Sequence, residues 1–214
     1  MRIQTLVCGP LSVNSYIVSA DGSSECVVID PGDAAPILHA LKSEDLTCTH
    51  ILITHGHFDH IFGLAELKAA TNAQVCIHSL DAPMLESNRA NLSVLTGDLL
   101  PKMQANMLLA DGDSIHAAGL CFRVIHTPGH SQGGVCYLVE GESVIFCGDT
   151  LFKDSCGRTD FPGCSQKELY HSVLDRLFPL PGEYTLYPGH EEQTSMDYER
   201  VNNPLVKIGG RLDW

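Results

Sequence analysis

Short apolar runs separated by turn residues dominate the first part of the chain. Ile3–Val7, Ser15–Ser19 and Cys26–Asp30 contain β-branched or aromatic residues, and Gly-Pro, Asp-Gly and Pro-Gly pairs punctuate them. This pattern is typical of β-strands joined by turns. Asp33 then precedes apolar residues at helical spacing up to about Lys42. That spacing predicts a helix that begins after a capping carboxylate.

The same order of elements recurs further along the chain. Phe58 to about Ala70 has apolar residues at helical spacing, and another helix is predicted from Ser165 to Phe178, where Glu168 completes a capping box. Further strands are predicted at His50–Thr54, Val75–His78, Ser114–His116, Cys121–His126, Gly134–Val139, Ser143–Cys147 and Thr185–Tyr187. Two sets of strands, each followed by helix, predict two β-sheets packed face to face with helices outside.

Composition and charge narrow the class of protein. The 214 residues are 44% hydrophobic, which fits one globular domain spanning residues 1–214. The net charge of −13 repels phosphate backbones and anionic lipid, so neither nucleic acid nor a membrane is an expected partner.

Nine cysteines without a C-x-x-C pair are expected to be buried, reduced thiols. With no signal peptide in view, the expected location is cytoplasmic, and the oligomeric state stays open.

Three histidines and an aspartate lie within six consecutive residues, directly after a predicted strand. The segment T-H-G-H-F-D-H occupies positions 54–60. In extended chain, residues two apart point to the same side, so His55 and His57 are placed to bind one ion. Asp59 and His60 are expected to begin a helix and to diverge toward a second ion. Without metal, four such polar groups would be costly to bury.

Three more candidate ligands follow later strands. His130 and His190 each come after a Pro-Gly pair, and Asp149 comes after Cys-Gly. Proline and glycine together hold an imidazole on a tight, fixed turn. Singly, each residue also fits a structural role, but their shared strand-end position predicts a site for two metal ions. His126, four residues before His130, is the candidate to support a ligand.

The order of these residues resembles the ligand series of the metallo-β-lactamase superfamily, over nearly the whole chain. Within it, G-D-T-L-F at 148–152 and G-R-T-D-F-P-G at 157–163 resemble the hydroxyacylglutathione hydrolase (glyoxalase II) branch. The resemblance implies an α/β fold, a four-layer αββα sandwich with the metals at the edge of the sheets. It implies a first metal on His55, His57 and His130, a second on Asp59, His60 and His190, and Asp149 bridging both.

This ligand set predicts hydrolysis. Imidazole and carboxylate ligands favour two zinc ions, with iron and manganese as alternatives. Paired metals lower the pKa of a shared water, so we expect hydroxide attack on an acyl carbon. Asp59 is the candidate catalytic residue, because it can orient that hydroxide through a hydrogen bond. A small acyl thioester of the S-lactoylglutathione type is the expected substrate, since a thiolate leaves without prior protonation.

Substrate recognition is predicted at Arg158, where the resemblance places a basic residue against the glutathione carboxylate. A fork-shaped guanidinium suits that contact, and an ion pair with Asp160 is the structural alternative. Two features depart from the glyoxalase II pattern. Glu192 stands where that pattern has a glutathione-contacting Tyr, and too few residues follow His190 for the additional helical domain. The expected match is therefore to short, single-domain relatives.

Other functions remain open. An iron-dependent persulfide (sulfur) dioxygenase shares C-G-R-T-D-F at 156–161 but uses one iron, and a lactone or other ester hydrolase has the same superfold. A β-lactamase proper is disfavoured, because the best-known group carries Cys where Asp149 stands. A non-catalytic metal-binding protein is opposed by the seven-residue set, since structural sites usually close four ligands around one ion.

Overall fold

A first six-stranded sheet is built from the amino-terminal half of the chain in the computed structural model, which describes residues 1–209. Its strands follow chain order: β1 (Arg2–Cys8), β2 (Val13–Ser19), β3 (Glu25–Ile29), β4 (Thr47–Leu52), β5 (Gln74–His78) and β6 (Met107–Leu109). β1, β2 and β3 pair antiparallel, whereas β3 to β6 pair parallel. Helices α1 (Ala34–Ser43) and α2 (Leu64–Thr71) make the first two parallel crossovers, as parallel pairing requires. Short 3₁₀ helices at Ala82–Glu86 and Ser93–Leu95 lie between β5 and β6.

A second six-stranded sheet follows in the other half. Its elements are β7 (Ser114–Ala117), β8 (Leu120–His126), β9 (Val135–Val139), β10 (Val144–Gly148), β13 (Thr185–Pro188) and β14 (Thr194–Ser195). The order across the sheet is β14-β13-β10-β9-β8-β7, with β10 and β13 parallel. A small hairpin of β11 (Leu151–Phe152) and β12 (Ser155–Cys156) precedes helix α3 (Gln166–His171), which continues as a π-helical segment, Ser172–Leu177. Helices α4 (Met196–Asn202) and α5 (Pro204–Gly209) come last.

Side-chain alternation along the strands creates the layers. On β3, Val27 and Ile29 enter the cluster between the sheets, with the fully buried Phe122 and Tyr137 of the second sheet. The intervening side chains face α1 and α2, while the outer face of the second sheet packs against α3 and α4. Because successive strand residues point to opposite faces, each sheet buries both sides. The predicted four-layer αββα sandwich of the α/β class is confirmed.

Turns replace the first part of one predicted helix. The prediction that Phe58 begins a helix was wrong: His60 N–H donates to the His57 carbonyl at 3.1 Å, and Ile61 N–H to that of Phe58 at 3.2 Å. These are i to i+3 bonds of turns, and α2 begins only at Leu64. Asp59 and His60 therefore lie on turns, which aim their side chains independently of a helical repeat.

The N-terminal caps of α1 and α3 agree in part with those predicted from the sequence. Asp33 caps α1 by accepting from the Ala35 N–H at 3.0 Å. Ser165 caps α3 by accepting from the Glu168 N–H at 3.2 Å. The reciprocal half of the predicted capping box is absent between these two residues, because the Ser165 N–H donates to the Gly129 carbonyl at 2.7 Å instead. That bond ties α3 to the turn that carries His130.

The cysteines bear on one further expectation, that of buried, reduced thiols. All nine cysteines carry free thiols; Cys26, Cys48, Cys76, Cys136 and Cys147 are buried, and Cys8, Cys121, Cys156 and Cys164 are half-buried. The prediction of burial is thus right for five of them. Between residues 1 and 209, none of the helices combines the length and hydropathy that crossing a bilayer takes.

Candidate metal centre

The seven predicted ligands converge where the strands of the two sheets end. His55 follows β4, while His130, Asp149 and His190 follow β8, β10 and β13. Strands two apart in an antiparallel sheet run the same way, so the carboxyl ends of β8 and β10 meet at one edge, with that of β13 beside them. Six of the seven side chains are at most about one-tenth exposed, and His190 is 22% exposed. The structure therefore brings together every residue of the predicted ligand set.

Three imidazoles form one half of the centre. His57 Nδ1 lies 2.9 Å from His130 Nε2, which in turn lies 3.2 Å from His55 Nε2. Ligand atoms 2.0–2.1 Å from a single tetrahedral zinc ion stand about 3.3 Å apart. These spacings match a common ion to within a few tenths of an ångström.

Asp59, His60 and His190 form the other half. His190 Nε2 lies 3.2 Å from Asp59 Oδ2, and His60 Nε2 lies 3.7 Å from the same oxygen. One ligand atom of each residue falls within 4.8 Å of those of the other two. This half can also surround one ion.

Asp149 lies between the two halves. Its Oδ1 is 3.3 Å from His60 Nε2, and its Oδ2 is 3.5 Å from His130 Nε2 and 3.7 Å from His190 Nε2. One carboxylate thus reaches nitrogens of both halves. The carboxylate is therefore placed where it could contact cations in both halves.

Buried polar atoms without partners test whether this cluster fits cations. His60 Nε2 and Asp149 Oδ1 are buried and have no hydrogen-bond partner within the described chain. A buried polar atom left unpaired costs about 1–3 kcal/mol. A cation in the second half would lie against both atoms and satisfy them, and the three imidazoles of the first half can surround another cation, so the donor set fits two metal ions.

Two imidazoles of the first half, those of His55 and His57, are poised as neutral ligands. Burial lowers the pKa of His57 to about 3, and the neighbouring His130 imidazole adds to the effect. Burial, together with His60 and His130, also lowers the pKa of His55 well below its usual value. A neutral imidazole offers the lone pair that a metal needs, so these two residues need not lose a proton near neutral pH before binding an ion.

The second half concentrates negative charge. Burial opposes protonation of His60, but the carboxylates of Asp149, Asp59 and Asp30 outweigh it and raise the pKa of His60 well above its usual value. Burial also works against ionisation of Asp149, yet His60 and His130 hold the pKa of that carboxyl below its ordinary range. Carboxylates that attract a proton to a buried imidazole attract a metal cation by the same field.

Hydrogen bonds behind the ligands set their tautomers. His130 Nδ1–H donates to the Arg158 carbonyl at 2.8 Å, and His60 Nδ1–H donates to Asp30 Oδ2 at 2.9 Å. Thr54 Oγ1 donates to the same Asp30 oxygen at 2.6 Å and lies 3.2 Å from His55 Nδ1. Three Nε2 lone pairs are thereby turned toward the centre. Sequence reasoning missed Asp30, although its position at the end of a buried strand matches that of Asp149.

Asp81 is a second buried carboxylate that sequence reasoning missed. It is 1% exposed, and its two oxygens accept from the Gly56 N–H at 3.0 Å and the Gly133 N–H at 2.6 Å. Gly56 separates two ligands, and Gly133 follows His130 by three residues. Asp81 therefore joins the two loops that carry the first half of the centre.

Replacing Asp81 by Asn is expected to loosen this junction. The amide group can accept only one of the two N–H bonds and turns a donor toward the other, at a cost of about 1–3 kcal/mol. Metal affinity is expected to fall about 10–100-fold, as for other residues that orient ligands. Thermal unfolding and metal titration measure the two effects, with the exposed Asp98→Asn as control. Unchanged affinity in the Asp81 variant would contradict this role.

Glycines allow the two Pro-Gly-His turns to approach their surroundings closely. A Cβ at Gly189 would collide with the Asp149 carboxylate and the His60 ring. Gly129 has φ +136°, and a Cβ there would collide with the backbone of Leu169. A side chain at position 189 or 129 would displace ligands or the α3 terminus.

A cavity of about 410 Å³ opens onto the centre. His57, Asp59, His130, Asp149 and His190 line it, together with aromatic and leucine side chains and Arg158. The Arg158 guanidinium makes a bidentate ion pair with Asp160, at 2.7 Å for both bonds, and lies 4.2 Å from the centre of the Phe161 ring. The alternative ion pair is thus present, and the guanidinium still borders the cavity.

His126 and Glu192, two further residues singled out in the sequence, pair with residues outside the candidate ligand set. His126 Nε2 lies 2.9 Å from the Gln132 carbonyl, and its ring stacks on His78 at 4.2 Å rather than against a ligand. The expected support of a ligand by His126 is therefore wrong. Glu192 Oε1 accepts a hydrogen bond from Lys153 Nζ at 2.8 Å, and the two form an ion pair.

Comparison with known proteins agrees with this geometry. The family model of the metallo-beta-lactamase superfamily matches residues 8–190, and the chain belongs to that superfamily. A protein of Aquifex aeolicus is 34% identical over 96% of this chain and 97% of its own length, and the probable metallo-hydrolase YqgX of Bacillus subtilis is 31% identical over 96% and 98%. The hydroxyacylglutathione hydrolase of Ectopseudomonas mendocina is 39% identical over 79% of this chain and 58% of that enzyme. Membership of the superfamily supports the interpretation that this protein is a metal-dependent hydrolase.

Solved structures show the same fold. The BLEG-1 B3 metallo-beta-lactamase superposes with a TM-score of 0.90 at 35% identity, covering 96% of this chain and 99% of that one. TTHA1623, in a di-iron-bound form, gives 0.82 at 37% identity and 94% and 98% coverage. ETHE1 from Myxococcus xanthus gives 0.80 at 29% identity and 100% and 92% coverage. A relative of closely similar fold thus holds two metals.

Proposed function

We propose that the chain is a di-metal hydrolase of acyl thioesters of the hydroxyacylglutathione type. The observation that carries this proposal is the convergence of seven imidazole and carboxylate side chains on the floor of one cavity, with buried ligand atoms left unpaired. The identity of 39% with a hydroxyacylglutathione hydrolase supports the choice of substrate.

In this proposal each metal has its own three ligands and shares one carboxylate. His55, His57 and His130 would hold the first ion, Asp59, His60 and His190 would hold the second, and Asp149 would contact both. Two divalent ions at these residues would lower the pKa of a bound water toward neutrality and polarise the carbonyl of the substrate. Zinc suits the donor atoms, and iron is the alternative that the di-iron relative supports.

Asp59 has the position of a base. Its Oδ2 lies beside His190 Nε2, and the residue also lines the cavity. Burial would raise the pKa of Asp59, but His60 and His190 hold it below its usual value. The carboxylate therefore stays ionised near neutral pH, where it can accept a hydrogen bond from the attacking water and orient it.

The leaving group needs little help from the protein. Thiols have an ordinary pKa of about 8.5, so a thiolate departs without a proton, whereas an amide nitrogen needs one. The described residues that line the cavity include no Lys or Tyr that could protonate an amine. This difference favours a thioester over an amide.

A substrate panel tests the proposal. The metal-loaded protein is expected to hydrolyse S-lactoylglutathione, to lose turnover on strong chelation and to regain it when zinc or iron is restored. Elemental analysis of the same sample is expected to give about two ions per chain. Absence of turnover for every thioester in a fully metallated sample would refute the proposal, and oxygen uptake with glutathione persulfide would support the dioxygenase instead.

A second candidate is opening of a β-lactam ring. It is favoured by the TM-score of 0.90 with the BLEG-1 B3 metallo-beta-lactamase over nearly the full length of both chains. The sequence expectation disfavoured this function. Including a penicillin, a cephalosporin and a carbapenem in the panel separates the two candidates through their kcat/KM values.

A further inference from the structure

Leucine side chains line the same cavity as the ligands. Leu11, from the turn between β1 and β2, is 52% exposed, and Leu95 is 69% exposed. Together with Leu92 they border the cavity, next to Phe58 and Phe152. When an apolar part of a ligand covers apolar groups that face water beside a reactive centre, the free energy of binding becomes more favourable.

The segment that carries Leu92 and Leu95 is hydrogen-bonded to the loop 54–60, which carries four of the candidate ligands. Buried Asn91 accepts through its carbonyl from the Phe58 N–H at 2.9 Å, and its side chain donates to the Met84 carbonyl at 3.0 Å. Leu92 itself has φ +71°, a left-handed conformation that a leucine adopts only when its surroundings impose it. The two leucines are therefore held at the cavity by its own framework.

The charges around the cavity do not favour an anionic group on this wall. In the part of the chain that the structure describes, Arg158 is the one Lys or Arg among the cavity-lining residues, and Asp160 already neutralises it. Lys153, adjacent to the lining Phe152, is paired with Glu192, and Glu191 adds a carboxylate to the lining. An uncharged, apolar substituent matches these surroundings.

We propose that Leu11, Leu92 and Leu95 form a subsite for the apolar acyl chain of the substrate. This inference rests on the proposed thioester hydrolysis and refines it. The glutathione part of such a thioester is charged and polar, so the acyl chain is the part that can cover leucine. The preferred substrates are thioesters whose acyl chain is longer and more apolar than lactoyl.

Acyl-chain length gives the first test. For acetyl-, butyryl-, hexanoyl- and octanoyl-glutathione, kcat/KM of the metal-loaded protein is expected to rise about threefold per added methylene until the leucines are covered. Leu95→Ser is expected to flatten that rise and to reduce kcat/KM for hexanoyl-glutathione about tenfold. Leu99→Ser is the matched control, because Leu99 is 71% exposed on the same segment but is not part of the cavity lining.

Binding of an inert analogue gives a second test that does not depend on turnover. The metal-loaded protein is expected to bind S-hexylglutathione at least about tenfold more tightly than S-methylglutathione in calorimetry. Leu95→Ser is expected to lose this preference, and Leu99→Ser to keep it.

The outcomes separate the two proposals. A flat chain-length series with good turnover, or equal effects of the Leu95 and Leu99 variants, would overturn the subsite while leaving thioester hydrolysis intact. Absence of turnover with all thioesters would overturn the proposed function, and the hexyl preference would then show whether the leucines still bind an apolar chain.

Discussion

Asp149→Ala is expected to reduce hydrolysis by at least about 100-fold and to lower the bound metal below two ions per chain. Loss of a residue that merely orients a ligand already costs about 10–100-fold. Asp149 lies within 3.5 Å of nitrogens in both halves of the centre, so its removal weakens both ions together. Elemental analysis after gel filtration, alongside steady-state kinetics, measures the two effects.

The control for this variant is Asp98→Ala, at an exposed position on a loop. It should keep the metal content and the activity of the parent protein. Circular dichroism of the chelated Asp149 variant checks that the fold is retained. Full metal occupancy together with parental kcat in Asp149→Ala would show that this carboxylate is not a ligand.

Asp59→Asn is expected to leave the fold intact while lowering kcat by about 100-fold to 10,000-fold, the range for loss of a positioned base. Asn has nearly the same shape, and its carbonyl oxygen can still take the place of Asp59 Oδ2, which lies 3.2 Å from His190 Nε2 in the parent. The amide, however, no longer offers a negatively charged acceptor to the attacking water. Thermal unfolding of both proteins and kcat at saturating S-lactoylglutathione are the measurements.

Asp98→Asn again provides the matched control. A parental kcat in the Asp59 variant would show that Asp59 takes no part in the reaction. A variant that unfolds at a clearly lower temperature would instead show that Asp59 mainly stabilises the protein.

The layered fold was predictable because the relevant signals are local. Alternation on β3 places Val27 and Ile29 on one face, and this period of two is visible in the sequence itself. The convergence of the seven candidate ligands was predictable for a related reason. Each ligand follows a strand, and strand ends that share an edge bring distant residues such as His55 and His190 together.

The remaining elements depend on contacts that sequence periodicity does not contain. β6 and β14 have three and two residues, too few for a period to show. The apolar spacing after Phe58 looks helical, yet Gly63 N–H donates to the Pro31 carbonyl and holds that stretch as turns. Tertiary contacts here outweigh local preference.

The sequence did not reveal the residues that orient the candidate ligands, because their contacts also lie far apart in the chain. The partners of Asp81, Gly56 and Gly133, lie 25 and 52 positions away. A lone aspartate before a short 3₁₀ helix carries no sign of these distant bonds in the sequence. Only the packing of the two sheets makes its role visible.

In the proposed centre, two cations share one cage of five imidazoles and two carboxylates. Anomalous diffraction from a crystal of the metal-loaded protein, at the absorption edge of the bound metal, tests it most directly. We expect two peaks about 3.5–4 Å apart, one among His55, His57 and His130 and one among Asp59, His60 and His190, with Asp149 next to both. A single peak, or peaks outside this cage, would contradict it.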